Sequence, residues 1–157
     1  MPILSAGIPA PDFTLPDQNG NPVQLSALQG RKVLIYFYPK AMTPGCTTQA
    51  CSLRDVQAEL AAHNLVVLGI SPDSPARLKK FEARDGLNFT LLGDEDHQVA
   101  DAYGVWGPKK FMGKEFDGIH RISFLVDEAG TLIKVFDQFK TSDHHQVVLD
   151  YLASQAG

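Results

Sequence analysis

No stretch of this chain is apolar for long enough to cross a membrane, and none gathers lysine and arginine into a stripe. The first absence excludes a transmembrane helix, which needs about 20 consecutive apolar residues. The second removes the usual electrostatic footprint of a nucleic-acid-binding domain. The balance of 14 basic against 18 acidic side chains, formally −4, points the same way. Cysteine is scarce: 2 in 157 residues is too few for a structural disulfide framework. The histidines and cysteines show no zinc-ligand spacing, so no metal is expected. There is no internal repeat, low-complexity tract or linker, and one domain over residues 1–157 is expected. Met1-Pro2-Ile3-Leu4-Ser5 lacks the charged-then-apolar pattern of a secretory leader, so a reducing, cytoplasmic setting is expected. There a disulfide between the two cysteines would be transient and catalytic.

What is present reads as alternating strands and helices. Phe13-Thr14-Leu15 and Val23-Gln24-Leu25 flank the turn dipeptide Asn19-Gly20, which predicts a small amino-terminal hairpin. Val33 to Tyr38 is an apolar, aromatic run of strand length, and Leu65 to Ser71 is a second. Between them, Thr43 is placed to cap a helix with Pro44 at its first position, and Ala50, Leu53, Val56 and Leu60 recur at helical spacing as far as Ala62. Ser74-Pro75 opens another helix with Leu78 and Phe81 on one face, and Asp94 caps a short one through Ala102. Ile122 to Asp127 and Thr131 to Phe139 form a hairpin across Glu128-Ala129-Gly130, and a last helix starts at Ser142 or Asp143. Strands joined through helices pair in parallel, whereas the last two are antiparallel, so the fold class is a three-layer α/β domain with a central mixed sheet. Trp106, Phe111 and Met112 read as an apolar loop, and His144-His145 as a solvated helix start.

The two cysteines stand five residues apart in Pro39-Lys40-Ala41-Met42-Thr43-Pro44-Gly45-Cys46-Thr47-Thr48-Gln49-Ala50-Cys51. Cys46 falls where the first core strand gives way to a helix. Unpaired N–H groups and the helix dipole favour an anion there, which is how a thiolate nucleophile is made. A thiolate attacking a peroxide also needs a hydroxyl to orient the substrate and donors for the departing oxygen. Thr43 supplies a hydroxyl, the first helical turn supplies N–H donors, and Arg121, leading into the strand from Ile122, is the candidate cation.

Pro39-xxx-Thr43-xx-Cys46 resembles the peroxidatic motif of peroxiredoxins. Phe37 through Cys46, together with Cys51, resembles one subfamily, the bacterial Q-type peroxiredoxins or bacterioferritin comigratory proteins. The likeness runs from about Ala10 to Leu152 and includes Pro11 to Asp17, Asn88 to Leu92, Asp94 to Val99, Gly104 to Gly107 and Gly118 to Leu125. The resemblance implies a thioredoxin-like fold and reduction of hydrogen peroxide and organic hydroperoxides, as antioxidant defence. On its pattern Cys46 is the peroxidatic and Cys51 the resolving cysteine. Thr43 and Arg121 bind peroxide and activate the thiolate, and Pro39 and Gly45 line and shield the site. It also implies an intramolecular Cys46–Cys51 disulfide, no bound cofactor, thioredoxin or a similar dithiol as reductant, and a monomer.

Other readings stay open from the residues alone. Cys51 could be a small core side chain, and Gln49 reads as a helix-surface or supporting residue. A general disulfide oxidoreductase would use Cys-x-x-Cys, which the wider gap here disfavours, and a holdase would act without Cys46. If both cysteines lie on one helix, ~3.6 residues per turn and ~1.5 Å rise place their Cα atoms roughly 8.6 Å apart. A disulfide needs less than about 7 Å, so the segment from about Thr43 to Cys51 must unwind to close one.

Overall fold

The computed structural model describes residues 3–156. Its elements follow from local signals. β1 (Thr14–Pro16) and β2 (Pro22–Gln24) pair antiparallel as the expected amino-terminal hairpin. β3 (Lys32–Phe37), β4 (Leu65–Ser71) and β5 (Thr90–Gly93) lie parallel, while β8 (Ser123–Val126) and β9 (Leu132–Phe136) are antiparallel to their neighbours. The sheet order is β5-β4-β3-β8-β9, so the strand leading to Cys46 is central. The sheet is mixed, as the run of signals implies, and the short β5 is an edge strand beyond those that the sequence pattern predicts.

Period-2 alternation in β3 sorts the core into two layers. Leu34, Tyr36 and Tyr38 join one cluster with Cys46, Ala50 and Leu53 of α1 (Pro44–Asp55), Leu60 of α2 (Gln57–Ala62), Leu78 and Phe81 of α3 (Pro75–Asp85), and Val148 and Leu152 of α5 (His144–Ala156). Val33, Ile35 and Phe37 face the other way, onto Phe13, Leu15 and the short α4 (Gln98–Ala102). Tyr36 stands opposite Gly69 in the β3–β4 register. A Cβ at position 69 would lie 2.8 Å from the Tyr36 ring, so the large aromatic fits only because that residue is glycine.

Four local expectations need correction. The helix after Cys46 does not run unbroken to Ala62; it stops at Asp55 and restarts at Gln57, because Val56 leaves helical geometry at φ −113°. Asp94 accepts from the N–H groups of Val99 and Ala100, but the helix that it holds begins only at Gln98. Arg121 lies two residues before its strand, which opens at Ser123. The apolar loop around Trp106 is a second hairpin, β6 (Trp106–Phe111) with β7 (Lys114–Ile119), turning at Met112 and Gly113, both at positive φ. Positive φ at both central residues suits the twist of a two-residue hairpin.

Candidate active site

Cys46 sits in the first turn of α1, beyond the carboxyl end of β3, and is 1% exposed. Pro44 occupies the opening position and has no N–H, and the N–H groups of Gly45 and Cys46 have no partner within the helix. Thr43 is the N-cap residue, yet its hydroxyl does not cap them. It donates to the Lys40 carbonyl at 2.9 Å. The expected cap is therefore replaced by a bond that commits the hydroxyl proton backwards and leaves the oxygen as an acceptor. First-turn donors stay free for an anion.

Arg121 reaches this point from the other side. Its Nη1 lies 3.4 Å from the Cys46 sulfur and donates to Oε1 of Gln49 at 2.8 Å. One guanidinium nitrogen thus touches the thiol and is fixed by a neighbour. Gly45 faces the same cation: a Cβ there would lie 3.4 Å from Nη2, so glycine leaves space beside that nitrogen. Gln49 is wholly buried, not a surface residue. The spacing held the signal, because Cys46, Gln49, Ala50 and Leu53 form the buried i, i+3, i+4, i+7 face of α1. A second cation stands nearby. Lys109 donates to the Ile119 carbonyl at 2.7 Å, and its ammonium is held below the usual lysine range by burial and then by the like charge of Arg121.

The loop carrying these residues is clamped at Ala41. Its N–H donates to Oδ2 of Asp73 at 2.7 Å, and its carbonyl accepts from Nη2 of Arg77 at 2.9 Å. Asp73 and Arg77 are themselves paired at 3.1 Å, and Ser71 donates to the same carboxylate at 2.7 Å. Pro39 occupies the half-buried bend between β3 and this clamp. No sequence signal marked the clamp, because it joins residues some thirty positions apart.

Cys51 lies on the same helix, half-buried, and both thiols are free. Its sulfur is 3.6 Å from Nη1 of Arg54. Among the described residues no group of three metal-ligating side chains gathers in one place.

Beneath the site, His144 is buried, contrary to the solvated helix start that the sequence suggested. Its Nε2 pairs with the Ser123 hydroxyl at 2.7 Å, and burial pushes the imidazole down to about 3. The folded state therefore binds fewer protons than the unfolded chain between about pH 3 and 6.5. This contribution to stability is whole above about pH 6.5 and is lost as the pH falls. At about pH 5, above the range of ordinary carboxylates, the loss amounts to about 2 kcal/mol. Urea denaturation at about pH 7 and about pH 5 should show that difference, and His144→Gln should remove most of it. A wild-type midpoint flat across this window would contradict a buried neutral imidazole.

Comparison with known proteins gives the family and the fold. Residues 6–135 match the model of the AhpC/TSA family. The chain is 60% identical over 153 residues to the peroxiredoxin Bcp of Escherichia coli, covering 98% of each, and 45% identical over 141 residues to that of Bacillus subtilis, covering 90% of each. Among solved structures it superposes on the bacterioferritin comigratory protein of Xanthomonas campestris with a TM-score of 0.89 at 31% identity, covering 98% of this chain and 100% of that one. That protein was described in connection with alkyl peroxide reduction.

Proposed function

The chain belongs to the AhpC/TSA family and is a peroxiredoxin, a thiol peroxidase, and on that premise we propose that Cys46 is its attacking thiolate and Cys51 the thiol that resolves the product. The observation that carries the assignment is the single Arg121 nitrogen shared between the Cys46 sulfur and Gln49. A fixed cation beside a buried sulfur favours the thiolate over the thiol and remains in place for the charge that develops on the substrate.

In the first step the Cys46 thiolate attacks one oxygen of the peroxide. An S–O bond forms and the O–O bond breaks. The sulfur becomes a sulfenic acid, and the other oxygen leaves as an alkoxide or hydroxide that takes up a proton. The free N–H groups of the first α1 turn and Arg121 face that charge, and Thr43 accepts from the peroxide hydroxyl. Pro39 and Gly45 border the opening. In the second step the Cys51 thiolate attacks the sulfenic sulfur, an S–S bond forms, and hydroxide leaves as water once protonated. An external dithiol then reduces the disulfide by exchange, and thioredoxin is the reductant that we assign. Hydrogen peroxide and organic hydroperoxides both supply the O–O bond this sequence requires. The cycle as proposed draws on no metal or organic cofactor and runs in a cytoplasmic monomer.

Both cysteines lie on α1, so helical geometry sets their Cα atoms roughly 8.6 Å apart, beyond the roughly 7 Å that a disulfide spans. The start of α1 must unwind to close the bond. Unwinding must release the buried Cys46, Gln49 and Ala50 and the bond from Arg121 to Gln49, besides the Thr48 hydroxyl bond to the Pro44 carbonyl and that of Arg84 to Thr47 at 2.7 Å. The far end is fixed, with Leu53 fully buried and Arg54 bonded to the Asp85 carbonyl. Hydrogen exchange of Cys46 to Cys51 should be faster in the disulfide form than in the dithiol form by at least tenfold, while that of β3 and β4 should be unchanged. Equal protection of the segment in the two states would overturn the unwinding step.

A further inference from the structure

Arg54 takes no part in the first step described above, yet it is the charged group in contact with the second sulfur. Its Nη1 lies 3.6 Å from Cys51 and donates to the Asp85 carbonyl at 2.6 Å, while its Nε pairs with Asp55 at 2.9 Å. Its own carbonyl accepts from Nδ2 of Asn88 at 3.2 Å. The guanidinium is therefore fixed through Nε and Nη1, in the part of α1 that does not have to unwind. We infer that Arg54 serves the resolving step, holding the Cys51 thiolate ready while the Cys46 end of the helix opens towards it.

This rests on Cys51 being the resolving thiol. The chemistry asks for such a group. Cys51 must lose a proton before it attacks the sulfenic sulfur, and among the described residues no carboxylate or imidazole is hydrogen-bonded to it to act as base. A neighbouring cation meets the need by favouring the anion. Asp55 on the same helix and Asp85 at the end of α3 face the Arg54 guanidinium, and Tyr36 on β3 faces the sulfur. Asp55 is engaged by Arg54 and Asp85 by Arg84. Burial keeps the Tyr36 phenol protonated. Arg54 is thus the cation in hydrogen-bond contact with the sulfur.

A thiolate stabilised in this way is also a weaker nucleophile, with a Brønsted slope of about 0.4–0.5. The two effects oppose each other and separate with pH. The lost nucleophilicity cancels about 40–50% of any gain in thiolate fraction on a logarithmic scale, so a net advantage remains at neutral pH. Above the pH at which the thiol ionises unaided, only the weaker nucleophilicity is left, and the advantage reverses.

Quenched-flow mixing with one equivalent of hydrogen peroxide, with alkylation and mass analysis, separates sulfenic acid formation from disulfide closure. Arg54→Gln should leave the first step as it is, slow closure about threefold at neutral pH, and close as fast as wild type or faster at high pH. Arg54→Lys, which keeps a cation, should restore most of the neutral-pH rate. A deficit of equal size at every pH would mean that Arg54 only tethers the helix to Asp85, and no deficit would remove it from the step; either result overturns the inference. Cys51→Ser tests the underlying reading separately. If that variant stored no sulfenic acid, Cys51 would not be the resolving thiol whatever Arg54 did.

Discussion

Replacing Cys46 by serine should end peroxide reduction. The substitution changes little in volume, and a hydroxyl can sit in the same buried first turn of α1 beside Arg121. What it cannot do is ionise there. A thiol becomes an anion far more readily than a hydroxyl, and donors of the kind placed here, first-turn N–H groups and a guanidinium, favour such an anion. A serine hydroxyl lies far outside the reach of such donors, and there is no base in contact with it. The loss should match removal of the nucleophile in other covalent enzymes, on the order of 10⁶-fold. Stopped-flow peroxide consumption with excess reductant measures it directly, and appreciable turnover by the serine variant would remove Cys46 from the mechanism. Cys51→Ser should behave differently, consuming one equivalent of peroxide at the wild-type rate and then stopping as a sulfenic acid unless an outside thiol intervenes.

The second large effect belongs to Arg121. Arg121→Ala removes the contact to Cys46 and the donor to Gln49 together. Removing one donor aimed at developing charge costs about 2.7–4 kcal/mol elsewhere, which is on the order of 10²–10³ in rate. The same loss should appear here in the rate constant for the first step. The stability cost should be smaller, about 1–2 kcal/mol, because it comes from leaving the buried Gln49 amide without its donor. Arg121→Lys should not rescue the rate, since an ammonium on a flexible stem does not reproduce a planar fork held on both sulfur and amide. Lys109 is already close, but its ammonium is committed to the Ile119 carbonyl. Rates within twofold of wild type in the alanine variant would show that the contact to Cys46 is incidental.

How much of this could be read from residues varies with the range of the interaction. β3, β4, α3 and the β8–β9 hairpin were legible because each buries a continuous run or a periodic face, and burial writes itself into local order. The position of Cys46 at a strand-to-helix junction was legible for the same reason. The β6–β7 hairpin was not. Most of its residues are exposed, so no apolar period marks it, and cross-strand pairing around Met112-Gly113 defines it instead. The misreading of His144 has a different origin. A histidine opening a helix is ordinarily solvated, and this one is buried because Ser123, 21 residues earlier on the sheet, offers it a hydrogen bond. Thr43 looked like a cap because caps are the common use of threonine before Pro-Gly, and only the folded loop shows its hydroxyl turned to Lys40. Gln49 lay between these cases: its spacing from Cys46 put it on the buried face, but its purpose depends on an arginine 72 residues away.

The clamp on Ala41 bears on a hazard that any enzyme of this kind must meet. On the proposed cycle each turnover opens part of the molecule, and upstream of that part runs Val33-Leu34-Ile35-Tyr36-Phe37-Tyr38, an uncharged, proline-free segment of the composition that assembles into cross-β aggregates when exposed. Asp73 and Arg77 hold both peptide groups of Ala41, three residues past the end of that segment. Opening that begins at Cys46 and runs towards the amino terminus meets this clamp before it reaches the strand. On that cycle the clamp confines the opening to α1 and keeps the most self-associating sequence of the chain within the sheet.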